Sequence, residues 1–421
     1  MTAASSTPLK SHDSIVIIGA GQGGFQAAVS LRDAKFAGRI TLIGDEPYLP
    51  YQRPPLSKAY LGGALDEDGL TLRPASYFER HDIDLLMGDA AVEIDRDRQE
   101  VKLASGRRVN YAHLILATGT RPRPLVAEGA ELAGVHVLRT KEDADALRPR
   151  LIEESRVAVV GGGFIGMEFA AVAADAGHEV VVIEGLARIM ARSVSPDLSE
   201  YVTAVHRGWG TRILLGSGVQ RLIGDAGRVT GVVLANGETV VADIVLVVIG
   251  VLPNVELAQE AGLEVANGIS VDESLLTSDP RISAIGDCAS YPSAHDGGRP
   301  TRLESVQNAV DHARHVAARL TDGSYSAYRN TPWFWTHQFD LNVQIAGIGS
   351  ANDECVVRTD PAGNKFSVYR FQADRLVCVE SVNQPGAHIL ARKMLTGEVR
   401  PTPAQVADLA FDMKALLTPA V

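Results

Sequence analysis

Continuous apolar runs, alternating runs and helical stripes divide this chain into elements before any chemistry is considered. Ile15–Ile18 is four β-branched residues in a row, a strand buried on both faces, and it runs straight into Gly19-Ala-Gly-Gln-Gly-Gly24. Phe25–Leu31 opens a helix, and Arg39–Ile43 reads as a second strand ending in Gly44-Asp45-Glu46. The segment 47–58, PYLPYQRPPLSK, holds four prolines and reads as an ordered loop crossing a ligand, neither regular helix nor sheet. From Ala91 to Gly119 the period shortens to alternating strands, with Ser105-Gly106 suited to a hairpin tip. They close on the apolar run His113–Leu116 and then on Ala117-Thr118-Gly119.

The same order of elements then recurs. Val157-Ala-Val-Val-Gly-Gly-Gly-Phe-Ile-Gly-Met-Glu168 repeats the first glycine finger, with Gly161, Gly163 and Gly166 in the three glycine places. The strand Val180–Ile183 ends on Glu184 where the first copy reaches Asp45. A second meander matches Leu234-Ala-Asn-Gly237 to Leu103-Ala-Ser-Gly106, and Val247-Val-Ile-Gly250 to Leu116-Ala-Thr-Gly119. Further on, Thr277–Asp287 supplies a short strand ending on an aspartate, and Glu304–Leu320 reads as a helix with Val306, Val310, Ala313 and Ala317 on one face. From about residue 326 no finger recurs. Alternating strands at Asn342–Ala346, Phe366–Phe371 and Leu376–Val382 predict a C-terminal α+β domain ending in helices.

Each finger fits G-x-G-x-x-G between a strand and a helix. Gly19 permits the tight turn, Gly21 lets a pyrophosphate approach the backbone, and Gly24 lets helix and strand pack closely. The helix N-terminus supplies unpaired N–H groups and the positive end of a dipole. An acid about 20 residues after the first glycine accepts from ribose hydroxyls, and Asp45 and Glu184 hold that place. A carboxylate at Glu184 repels a 2′-phosphate, and neither Arg nor Lys follows at 185 or 186, so a dinucleotide with a free 2′-hydroxyl is expected there, which for a nicotinamide cofactor means NADH over NADPH. Two dinucleotide folds in one chain predict two dinucleotides.

Length and charge narrow the class. At 421 residues, two or three domains are expected. A formal net charge of −11 argues against a nucleic-acid binder, whose footprint is basic. No apolar stretch reaches about 20 residues free of charge, so no membrane span is expected, and the polar first fourteen residues show no signal peptide. Cys288, Cys355 and Cys378 lie far apart, with no pairing motif or metal-ligating spacing; reduced thiols in a cytoplasmic protein and no bound metal are expected.

The chain resembles the FAD-dependent NADH:ferredoxin reductases of the glutathione-reductase fold type, closest to the putidaredoxin-reductase-like components that serve bacterial cytochromes P450 and ring-hydroxylating dioxygenases. GAGQGG, Gly44-Asp45-Glu46, RPPLSK, LATGTRPR, GGGFIGME, TSDPRISAIGDC, ESVQNA and Pro332-Trp-Phe-Trp335 carry the resemblance nearly end to end. It implies an α/β chain of two Rossmann-like dinucleotide-binding domains, FAD at 1–120 and 251–325 and NADH at 121–250, plus an α+β interface domain at 326–421. It implies FAD on Gly19, Gly21, Gly23 and Gly24, with Asp45 on the adenosine ribose, Arg53 and Lys58 reaching the phosphate and flavin ends, and Ala91 touching adenine. Thr118, Gly119, Arg139, Asp287 (on the ribityl chain) and Val306 (at the flavin pyrimidine edge) complete that set. It implies NADH on Gly161, Gly163, Phe164, Ile165, Gly166, Glu168, Glu184 and Gly250.

By the same resemblance Glu168 approaches the nicotinamide and Lys58 the flavin, which suggests a Lys58–Glu168 ion pair. The alternative leaves Glu168 exposed on the first turn of its helix, where a carboxylate is favourable anyway. Trp335 matches the tryptophan that covers the flavin where a partner docks; from spacing alone it is equally a core residue. Arg314 and Arg73 match positions that meet an acidic [2Fe–2S] ferredoxin, which in turn serves a P450 or other oxygenase. A rubredoxin is a further acceptor within this reading. Disulfide reductases of this fold need a cysteine pair near the flavin, and none occurs before Cys288. Rivals on the same fold are an NADH oxidase or peroxidase, which the missing cysteine disfavours, and a redox sensor of the apoptosis-inducing-factor kind.

Overall fold

The computed structural model describes residues 10, 12–151, 155–323, 325–359, 365–397 and 399–417. Most of the stretch read for a signal peptide, residues 1–9 and 11, lies outside them. The chain packs as two compact units. The first gathers Met1–Gln52, Glu67–Arg121 and Leu252–Asn330; the second gathers Arg53–Asp66, Pro122–Val251 and Thr331–Val421.

In the first unit, Ser14–Ile18 is the centre of a five-stranded parallel sheet. The order is Ile282–Ala284, His113–Leu116, Ser14–Ile18, Arg39–Gly44, Ile83–Met87. Alternate side chains of the central strand enter separate cores. Ile15 and Ile17 pack with Phe25, Leu31, Ala313 and Val316 beneath the helices Gln22–Asp33 and Val306–Asp322. Val16 and Ile18 pack with Leu103, Leu114 and Ala284 on the other face. Burial on both faces is the reason the run has no polar break, and each of these four side chains, at most 6% exposed, contributes about 1.5–3 kcal/mol. The 304–320 helix begins two residues later than its apolar stripe suggested, at Val306 after Ser305, and Gly323 ends it at φ +73°.

The second unit repeats the plan with Arg156–Val160 at the centre, in the order Arg212–Leu214, Glu179–Ile183, Arg156–Val160, Ile244–Val247, Val135–His136. The internal repeat is reproduced in matching backbone hydrogen bonds. Gly19 N–H donates to Ile43 O at 2.8 Å as Gly161 N–H donates to Ile183 O at 2.9 Å. The meander tips match as well: Leu103 N–H donates to Arg107 O and Leu234 N–H to Glu238 O, both at 2.8 Å, around glycines at φ +88° and +87°.

The same unit carries the C-terminal α+β part, a five-stranded antiparallel sheet. Its order is Trp333–Gln338, Leu341–Gly347, Arg375–Val382, Phe366–Gln372, Glu354–Thr359, followed by the helices Pro385–Thr396 and Pro403–Ala407. The helix Pro196–Gly208 is tied to this sheet at both ends. At its start, Glu380 accepts from Ser195 N–H (2.8 Å), the Ser195 hydroxyl (2.5 Å) and Arg370 (2.8 Å). At its end, His206 Nε2 meets Gln338 Oε1 at 3.0 Å, and Trp209 stacks on Phe339 at 4.5 Å and 10°. No helix among the described residues is long and apolar enough to cross a membrane.

Candidate functional site

The two glycine fingers have the same steric signature. A Cβ on Gly19 would lie 2.2 Å from Ala117 O and one on Gly24 1.9 Å from Gly19 O; the counterparts Gly161 and Gly166 would meet Val248 O at 2.4 Å and Gly161 O at 2.1 Å. Gly19 and Gly161 also sit at φ +106° and +113°, where side chains are strained. The middle glycines differ in kind: a Cβ on Gly21 or Gly163 would meet nothing within 4 Å. Each heads its helix without a side-chain cap, and neither helix has an acid in its first turn. The result is an open cradle of unpaired N–H groups in each unit, which fits a dinucleotide pyrophosphate. A Cβ on Gly23 would lie 3.6 Å from Ile285 and 3.7 Å from Ala309, in ordinary contact.

The acids that follow are not equivalent. Glu184 turns back on its finger, accepting from Gly162 N–H at 2.7 Å and Leu186 N–H at 2.8 Å. Strand register pairs Ile18 with Ile43 and Val160 with Ile183, so the place of Glu184 in the first copy belongs to Gly44. Asp45 lies one residue beyond, exposed, accepting from Glu46 N–H at 3.1 Å, and Glu46 accepts from the Tyr51 hydroxyl at 2.6 Å. The spacing count alone could not see this offset, because it cannot separate the extra residues of the first copy from a shift beyond the strand end.

The proline-rich loop is not wholly irregular. Pro54–Ser57 forms one 3₁₀ turn, because prolines are tolerated in the first helical positions where N–H groups have no partner anyway. Arg53 Nη1 donates to Arg139 O at 2.9 Å, and the Tyr60 hydroxyl donates to Asp145 at 2.5 Å. Within the second unit these ties present Ser57 and Lys58 to Glu168. Lys58 Nζ and the Ser57 hydroxyl both donate to Glu168 Oε2 at 2.6 Å, and the Thr336 hydroxyl donates to Oε1 at 2.7 Å. Glu168 is therefore not an exposed first-turn carboxylate: it lies in the second turn of Phe164–Asp175 and is 5% exposed. Ser57, Thr336 and Gln338 were missed from sequence. The available signal was the period of two along Phe334-Trp-Thr-His-Gln338, which puts two polar residues on the face of Phe334.

The other expected residues fall at backbone-defined places. Ala91 starts a strand, half-buried. The Thr118 hydroxyl donates to Asn254 O at 2.7 Å, and Gly119, Gly250 and Gly286 take φ of +65°, +101° and +70° at strand ends. Asp287 lies in a 3₁₀ turn after Gly286, and Val306 heads its helix. Phe164 packs on Phe334 with ring centres 4.5 Å apart; Ile165 beside it is half-buried. Trp335 is half-buried and lies 5.3 Å from Trp333, over which Arg392 sits at 4.7 Å. Arg73 is exposed against Tyr77, and Arg314 is exposed 3.8 Å from Asp311. All three cysteines are free, and Cys355 and Cys378 flank Arg370 on its two neighbouring strands.

Comparison with known proteins agrees with this geometry. Residues 13–313 match the family described as pyridine nucleotide-disulphide oxidoreductase and residues 333–417 match the reductase C-terminal family, and the chain belongs to the former with the latter appended. Its fold is thus the FAD/NAD two-domain fold with a C-terminal domain, and it is an oxidoreductase. It is 50% identical over 401 residues to rhodocoxin reductase of Rhodococcus erythropolis, covering 95% of this chain and 93% of that one. It is similar to the solved ferredoxin reductase for the CYP199A2 system of Rhodopseudomonas palustris, with 48% identity, TM-score 0.94, and 97% and 100% of the two chains covered. It is also similar to the reductase in the covalent putidaredoxin reductase–putidaredoxin complex, with 38% identity, TM-score 0.92, and 96% and 98% coverage.

Proposed function

We propose that this protein passes electrons from NADH through FAD to a [2Fe–2S] ferredoxin that supplies a cytochrome P450. The observation that carries the reading is the pair of open glycine cradles, one in each unit, in a chain alike from end to end to ferredoxin reductases. FAD, when bound, accepts a two-electron hydride and releases electrons singly, which an iron–sulfur acceptor requires.

The chain's own residues bind and orient. Gly21 heads the open cradle for the FAD pyrophosphate, with Gly19 making its turn and Gly24 its close packing, and with Asp45, Arg53, Ala91, Thr118, Gly119, Arg139, Asp287 and Val306 along the cofactor's length. Gly163 does so for NADH, with Gly161 and Gly166 shaping that finger and Phe164, Ile165 and Gly250 lining the cofactor's course. Glu184, locked by two backbone N–H groups, keeps a carboxylate at the strand end and disfavours a 2′-phosphate. Lys58 and Glu168 form a charged, partly desolvated pair at the reacting end. The functional division in this reading is 1–120 and 251–325 for FAD, 121–250 for NADH, and 326–421, with Trp335, for the acceptor; Arg73 and Arg314, on the FAD segments, are the cations assigned to an acidic partner. A cytoplasmic setting fits the free thiols.

Mixing the purified yellow protein anaerobically with NADH and a [2Fe–2S] ferredoxin should bleach the ferredoxin over many turnovers. A protein whose flavin is reduced by NADH while every one-electron acceptor stays oxidised would refute the proposal.

A further inference from the structure

The strand Trp333–Gln338 has two faces. Its pleat sends Phe334, Thr336 and Gln338 one way and Trp333 and Trp335 the other. On the first face, Phe334 meets Phe164 and Thr336 meets Glu168, two residues four apart on one side of the helix Phe164–Asp175. Behind Thr336 a buried polar chain continues: Gln338 Nε2 lies 3.2 Å from Thr336 Oγ1, and His206 Nε2 lies 3.0 Å from Gln338 Oε1.

The chemistry of these groups gives the chain one direction. An amide nitrogen can only donate, so the Gln338 N–H occupies one acceptor lone pair of the Thr336 hydroxyl, and the one hydroxyl proton is left for Glu168. An amide oxygen can only accept, so His206 must carry its proton on Nε2. That fixes the tautomer and leaves Nδ1 as the nitrogen with no partner, as found. Burial lowers the pKa of His206 to about 4, which keeps the ring neutral at ordinary pH. Thr336, Gln338 and His206 are at most 1% exposed, so water does not compete for these bonds.

We propose that Thr336 is a positioning residue for electron transfer from NADH: its hydroxyl, aimed by Gln338 and His206, holds the Glu168 carboxylate in register with Lys58. This rests on the role given to Glu168 above.

The test combines Thr336→Val, which keeps the shape and removes the proton, with Thr336→Ser, which restores it. In protein never mixed with NADH, histidine-selective 15N NMR should show His206 as a single Nε2–H tautomer in wild type and Thr336→Ser, and as a mixture in Thr336→Val. Anaerobic flavin reduction at saturating NADH should slow about tenfold in Thr336→Val, the usual loss for one hydrogen bond to a charged group, with the half-saturating NADH concentration within about twofold. Thr336→Ser should stay within about twofold of wild type. Combined with Glu168→Gln, Thr336→Val should add less than about twofold, because the two act as a unit. Should Thr336→Val fail to fold, Gln338→Met tests the same link and should slow reduction at least about threefold. Wild-type rates in the Thr336 or Gln338 variant, or an equal loss with and without Glu168→Gln, would overturn the proposal alone. A wild-type rate in Glu168→Gln itself would overturn the role of Glu168, and this proposal with it.

Discussion

Lys58→Met keeps an unbranched side chain out to Cε and removes the ammonium. Glu168, 5% exposed, would keep Ser57 and Thr336 as donors but lose the cation 2.6 Å from Oε2. Breaking a fully buried pair costs about 3–5 kcal/mol. The Lys58 side chain keeps 21% of its exposure, so water screens part of the charge and the expected loss is about 2–3 kcal/mol. All three tryptophans, Trp209, Trp333 and Trp335, belong to the second unit, so their fluorescence during urea unfolding, at a fixed excess of FAD, reports the unit that contains the pair. Lys58→Met/Glu168→Gln leaves no buried charge and should recover at least half of the loss. A single variant that shifts stability by less than about 0.5 kcal/mol, or a double variant that loses the sum of the two singles, would refute the reasoning.

Further outcomes follow from other parts of the molecule. Glu184→Arg should lower kcat/KM for NADH at least about tenfold and raise it for NADPH, since the substitution replaces an acceptor by a phosphate-binding fork; an unchanged ratio would remove Glu184 from the specificity account. Arg314→Glu should slow ferredoxin-dependent turnover and flatten its salt dependence while sparing reduction of a small dye, whereas equal slowing with both acceptors would point to damage elsewhere. Burial pushes His113 and His312 down to about 3, so below about pH 6.5 the unfolded chain takes up protons that the native chain refuses. Stability should be full above that pH and decline as pH falls toward 3; equal urea midpoints at about pH 7 and pH 4.5 would contradict it.

The parts legible in sequence are those where backbone geometry leaves one residue type. Gly19 and Gly161 need positive φ and Gly24 and Gly166 need absent Cβ atoms, so both fingers and the repeat stand out in one dimension. Apolar runs marked the central strands because both faces are covered. Contacts that depend on distant register were hidden. Thr336 lies far along the chain from Glu168, and nothing in the local pattern of either names the other. The place of Glu184 is Gly44 in the first copy, a shift that residue counting absorbs and strand pairing reveals. The burial of Glu168 was likewise decided by a loop and a strand from outside its own helix.

The tethering of Pro196–Gly208 bears on how such chains can be recombined. A chimaera joined at residue 330 would inherit Ser195, His206 and Trp209 from one parent and Glu380, Gln338 and Phe339 from the other. Unless both parents spell these pairs alike, a carboxylate, an amide and an imidazole would be stranded in a dry interior. Crossovers in this lineage should therefore carry that helix along with the terminal sheet.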